Sequence, residues 1–310
     1  MSEKTFLQKI LRLLLLFIGF NLLGYFVTLF LLNILFNVDG NTLLSIFNNL
    51  DTIDNSSTNV LKFMQFVQMF FSLIIPAHLF ARSESNNQLV EYFQLNNTSY
   101  KNYLIGILLL VCISPLVSYI AELNEQIQLP SFLSSVENYF KQKQIQTEKL
   151  SLVFLGNNTG VDLLINIFIV GVLAAIAEEL FFRGVLQKII LEKVKNIHMA
   201  ILICSFLFSA LHQEFYSLLP RVLLGMLLGY AYVFSKSIWV PISIHFVNNA
   251  AIVLLDSLYK QGISSFNPNE NEYFGIIGVF ISLILSIPLF WYWNKNKSNG
   301  INYNYGEKLD

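Results

Sequence analysis

Long apolar blocks alternate with short polar breaks along this chain. Eight blocks can be drawn, at 10–36, 58–81, 102–121, 161–187, 198–213, 218–235, 238–258 and 273–293. A helix rising 1.5 Å per residue needs about 20 residues to cross a hydrocarbon core of about 30 Å. Each block therefore predicts a spanning helix, the fifth being the shortest and least sharply bounded. Lipid offers no hydrogen-bond partner to an open backbone, so only helices or a closed barrel can span it. The blocks lack the two-residue alternation of a membrane barrel. The expected fold is all-α: a polytopic transmembrane bundle of about eight helices, without internal repeats.

The breaks organise the chain. Lys4 and Lys9 before the first block and Arg12 at its start resemble a signal peptide's basic region, but Ile10 to Phe36 far exceeds an h-region of 7–15 residues. It reads as a retained span. Residues 122–160 form the longest polar interruption; Phe132, Leu133, Val136, Tyr139 and Phe140 recur there at roughly helical spacing. An interfacial amphipathic helix and a solvated loop are both open readings. The polar tail from Asn294 reads as a solvated end. Three parts result: N-terminal spans over 1–160, a chemically rich core over 161–258, and a last span with tail over 259–310. Twelve lysines and arginines fall beside the inner ends of the spans and five beside the outer ends. That bias predicts a multi-pass integral membrane protein with both termini cytoplasmic.

Composition agrees. Hydrophobic residues make up 55% and charged residues 13%, against about 25% charged in soluble domains. The net charge is −1 and no basic patch exists, which argues against a nucleic-acid partner and leaves the bilayer as the implied one. Cys112 and Cys204 lie in apolar runs without ligand spacing and read as packing residues. Trp239, Trp291 and Trp293 sit near block ends as interface anchors would. His78 and His198, also near block ends, read as structural.

Ionisable groups inside spans are costly and mark function. The fourth block carries the densest set, Glu178-Glu179 followed by Arg183. Positions four apart on a helix return to within about 40°, so Glu179 and Arg183 share a stripe and can pair. Glu178 points elsewhere and can face a polar cavity as a general base. A charged helix end at the membrane surface is the plainer reading of the same residues. The fifth block ends Phe208-Ser-Ala-Leu-His212, placing the ring beside the imidazole. The seventh holds His245-Phe-Val-Asn248-Asn249. His245 and Asn249 share a face and can donate to one oxygen, as an oxyanion requires; a pair of this kind also serves as interhelical glue.

The ordered set Glu-Glu-x-x-x-Arg, Phe-x-x-x-His and His-x-x-x-Asn resembles the CAAX protease and bacteriocin-processing (CPBP, or Abi) family of intramembrane peptidases, which includes the type II CAAX prenyl endopeptidases. The resemblance covers about residues 161–258. It implies hydrolysis of a peptide bond in a membrane-associated substrate, either a prenylated CAAX-type protein or a leader- or bacteriocin-type peptide. It assigns water activation to Glu178, water positioning to His212, the oxyanion to His245 and Asn249, and shaping of the site to Glu179, Arg183 and Phe208. The family has been described both as glutamic and as metallo-endopeptidases; a divalent ion such as zinc would draw on Glu178, Glu179, His212 and His245. Two other classes fit intramembrane Glu and His residues: a proton-coupled transporter and a non-proteolytic scaffold or immunity protein.

Overall fold

The computed structural model describes residues 5–49, 55–156, 158–266 and 275–297. These form helices without strands: α1 (Phe6–Phe36), α2 (Gly40–Asn48), α3 (Ser57–Glu84), α4 (Leu89–Phe93), α5 (Tyr100–Glu125), α6 (Ser134–Leu155), α7 (Gly160–Val194), α8 (Ile197–Leu211), α9 (Phe215–Ser235), α10 (Trp239–Lys260) and α11 (Gly275–Lys295). The tail beyond residue 297, with Lys308, and Lys4 lie outside the described residues.

All eight expected spans have a counterpart. Seven helices are long and apolar enough to cross a membrane, and the fifth block becomes the shorter α8. Their lipid-facing surface is plain in α1, which buries only Leu13, Gly24, Thr28 and Leu32 and turns Leu15, Phe26 and Phe30 outward. The 122–160 interruption contains α6. Phe132, Val136 and Tyr139 are exposed on its approach and face, while Phe140 stacks on Phe215 at 5.0 Å. A solvated loop would not make that contact.

Helix ends follow local chemistry. Thr5 and Gln8 form a reciprocal cap at the start of α1, and Asn37 ends it in a left-handed conformation. Lys195 and Lys236 end α7 and α9 in the same way. Three stretches widen to i→i+5 turns: Phe70–Ile74 in α3, and Ile167–Leu173 and Phe182–Leu186 in α7. Such turns often accompany functional sites. The two in α7 flank Glu178 and Glu179.

The two largest apolar clusters tie most of the bundle together. One joins α1, α3, α7 and α8 through residues such as Leu13, Phe80, Phe181, Ile189 and Phe208. The other joins α5, α9, α10 and α11 through Leu109, Leu228, Phe234, Ile244 and Trp293. Trp293 corrects the sequence reading: it is fully buried, and its indole N–H donates to Asn102 at 2.8 Å. The packing of α11 on α5 supplies that acceptor, so the ring serves the core. Trp291, 62% exposed, remains on the surface.

Candidate active site

The site lies where α7, α8, α9 and α10 meet. Ala174, Ala175 and Ala177 are buried on α7, and their small side chains allow close neighbours beside the two glutamates. Glu179 and Arg183 pair at 3.1 Å, both essentially excluded from solvent. Arg183 also donates to the Gly225 carbonyl of α9 at 3.0 Å and lies 4.9 Å over the Phe208 ring. Gly225 has a steric reason: a Cβ there would meet Ser205 Cβ at 3.0 Å, pushing α9 away from α8.

Glu179 has a second partner. His245 Nδ1 lies 2.9 Å from the same carboxylate oxygen that Arg183 holds. A carboxylate accepts only, so Nδ1 carries the proton. The other ring nitrogen, Nε2, lies 3.6 Å from Glu178. Glu178 makes no hydrogen bond among the described residues. It faces a cavity of about 330 Å3, also lined by Phe208, His212, Arg221, His245 and Asn249. The charged-helix-end reading fails here, because α7 continues to Val194 and Lys188 is itself buried.

His212 follows the last residue of α8, its Nδ1 2.8 Å from the Phe208 carbonyl. A carbonyl also only accepts, which leaves Nε2 as the acceptor nitrogen. Phe208 packs edge-on between the imidazoles, with ring centres 5.0 Å from His212 and 6.2 Å from His245. Asn249 donates to the Val170 carbonyl at 3.0 Å and accepts from Asn248 at 3.2 Å. Both contacts fix its amide, and the second amide hydrogen remains available.

All seven residues singled out from the sequence are thus within one neighbourhood. His78 and His198 are not; His198 bonds Tyr230 on the surface at 2.7 Å. Sequence reasoning passed over Arg221, which lines the cavity, and the orienting contact of Asn248. Arg221 sat in a plain helix start and carried no motif.

A metal fits this donor set poorly. Glu179 is engaged by Arg183 and His245, and among the described residues no three His, Cys, Asp or Glu side chains group as ion ligands. The four-residue zinc set is not assembled.

Comparison with known proteins places the same segment. Residues 160–251 match the family model of the Rce1-like type II CAAX prenyl endopeptidases. The match begins with α7 and takes in every residue of the site. The Rce1-like segment agrees with the resemblance carried by the three motifs. "Putative membrane peptidase YdiL" of Bacillus subtilis (strain 168) is 32% identical over 89 residues, which are 29% of this chain and 36% of that protein. The matched region thus spans little more than a third of that relative. No solved structure matches.

Proposed function

We propose that this protein is an intramembrane endopeptidase in which Glu178 activates water. The observation that carries the reading is the arrangement of His245: one nitrogen is held by Glu179 and the other lies 3.6 Å from Glu178, at a cavity that both residues line. Water has two hydrogens and needs two acceptors to present a lone pair. The Glu178 carboxylate and His212 Nε2 supply them. Glu178 removes one proton as the oxygen attacks the substrate carbonyl. The developing oxyanion is met by the second amide hydrogen of Asn249 and by the Nε2 proton of a His245 imidazolium, whose other proton stays bonded to Glu179. The proton held by Glu178 then passes to the leaving amine, and no covalent enzyme intermediate forms. Glu179 and Arg183 act as positioning residues, fixing the imidazole in rotation, with the Glu179 carboxylate stabilising its doubly protonated form.

The substrate class is a membrane-associated peptide or lipidated protein, and the catalytic segment works within the bilayer. Both termini face the cytoplasm on this reading, supported by the bias of basic residues toward one side. The test uses purified protein with Glu178→Gln, His212→Ala and His245→Ala variants. Cleavage is followed on a prenylated C-terminal peptide and on a leader-bearing peptide. Wild-type cleavage lost in all three variants is the expected result. Substrate flux without cleavage would replace the reading with transport, and cleavage surviving in all three would remove the site.

A further inference from the structure

Glu178 and His212 face a second cavity as well. It has a volume of about 690 Å3 and lies between α1, α3 and the end of α8, within the range of about 300–1,000 Å3 usual for ligand sites. Most of its wall is apolar, including Phe17, Met69 and Leu211, but a row of amides and a hydroxyl crosses it. Asn21 Nδ2 donates to Ser72 Oγ at 2.9 Å, and Ser72 Oγ donates to Gln68 Oε1 at 3.2 Å. Asn21 Oδ1 and Gln68 Nε2 are left without a partner among the described residues. Gln65 stands beside them, exposed like Asn21.

Depth makes this row informative. Asn21 is the middle residue of α1, about 22 Å from either end at 1.5 Å per residue, and so near mid-bilayer. An amide facing hydrocarbon there loses its hydrogen bonds, at a cost of several kcal/mol. Beside the row α1 and α3 approach closely: a Cβ on Gly24 would meet Phe71 Cβ at 2.6 Å, inside the wide turn of α3. The occupant must supply donors and acceptors in alternation together with apolar side chains. An extended polypeptide does so; an acyl or isoprenoid chain does not.

We propose that this second cavity seats the substrate on one side of the cleaved bond, as an extended peptide whose backbone pairs with Asn21 and Gln68. The inference rests on the peptidase reading. It assigns substrate selection to α1 and α3, which lie outside the family-matched segment. The first cavity then takes the chain on the other side of Glu178.

The test uses the full chain in nanodiscs, as the Glu178→Gln variant, with a library of apolar decapeptides carrying photo-leucine. Adducts should map to α1 and α3 around Asn21 and Gln68. Asn21→Leu and Gln68→Leu should each lower their yield at least tenfold, and Asn21→Gln should restore part of it. In the Glu178 form, the same leucine variants should raise KM about tenfold with kcat nearly unchanged. Absence of adducts on these helices overturns the inference, as does equal labelling by a photoactivatable isoprenoid or phosphatidylcholine that the peptides fail to displace. Wild-type cleavage unaffected by the leucine variants removes the second-cavity site and leaves the peptidase reading. Peptide adducts there without wild-type cleavage keep the peptide site and remove the peptidase reading.

Discussion

Helices α7 and α10 carry a buried polar cluster at each of two levels, and the two clusters treat a carboxylate in opposite ways. Near the start of α7, Asp256 accepts from Asn158 at 2.8 Å and pairs with Lys260 at 2.9 Å. Asn158 also donates to the Val253 carbonyl and accepts from Asn166, while Lys260 reaches the Gly156 carbonyl. Asp162 pairs with Lys62 on α3. This cluster clasps the turn between α6 and α7 and lines neither cavity at Glu178. More than three turns further along, Glu179 is held through one oxygen by Arg183 and His245, yet its neighbour Glu178 faces open volume with no hydrogen bond among the described residues. Burial of an acid inside a membrane protein is therefore a poor sign of chemistry by itself. An uncommitted acid beside a committed one is a better sign.

Substitutions should separate the two clusters. Glu178→Gln should lower kcat by about 10²–10⁴-fold, the usual worth of a general base, with thermal stability in detergent unchanged. Adding His245→Ala should cost little more, since residues acting as a unit are not additive; additive losses would divide the site. Glu179→Gln should lower kcat by about 10²-fold or more by releasing the imidazole, as removal of a residue that orients a histidine does elsewhere. A KM effect alone would contradict its positioning role. Asp256→Ala should do the reverse: destabilise by about 1–3 kcal/mol through orphaned buried donors, read as a lower unfolding temperature, with kcat per folded molecule preserved. Phe208→Leu removes edge contacts worth about 0.5–1.5 kcal/mol and should slow turnover by about three- to tenfold. A chelator titration should leave cleavage unchanged, since among the described residues no three His, Cys, Asp or Glu side chains group as ion ligands; a reversible loss restored by zinc would overturn that donor assignment.

The spans were legible because lipid imposes length and apolarity on every crossing helix. The three motifs were legible because helical periodicity puts residues four apart on one face, and Glu179–Arg183, Phe208–His212 and His245–Asn249 keep those faces. Their meeting was not legible. Apolar blocks say how long each helix is, not how far it is shifted along its neighbour, and that shift is set by contacts such as the buried bond from Arg183 to the Gly225 carbonyl. The amide row of Asn21, Gln68 and Ser72 was invisible for another reason: a single asparagine in an apolar helix says nothing until a second helix is packed against it. Trp293 misled because its position near a block end is shared by core and interface tryptophans alike; only the Asn102 acceptor distinguishes them.

Hydrolysis inside oil has a supply problem, and α8 bears on it. With 15 residues it extends only about 22 Å, short of the roughly 30 Å of hydrocarbon. A bilayer beside α8 would have to thin to match it, which would set the turn from Gln213 to Ser217 below the ends of the longer helices. Headgroup water would then lie closer to His212, which directly follows α8, than a full-length span would allow. On the peptidase reading, the bond to be cut could stay at its native depth while water travels to it.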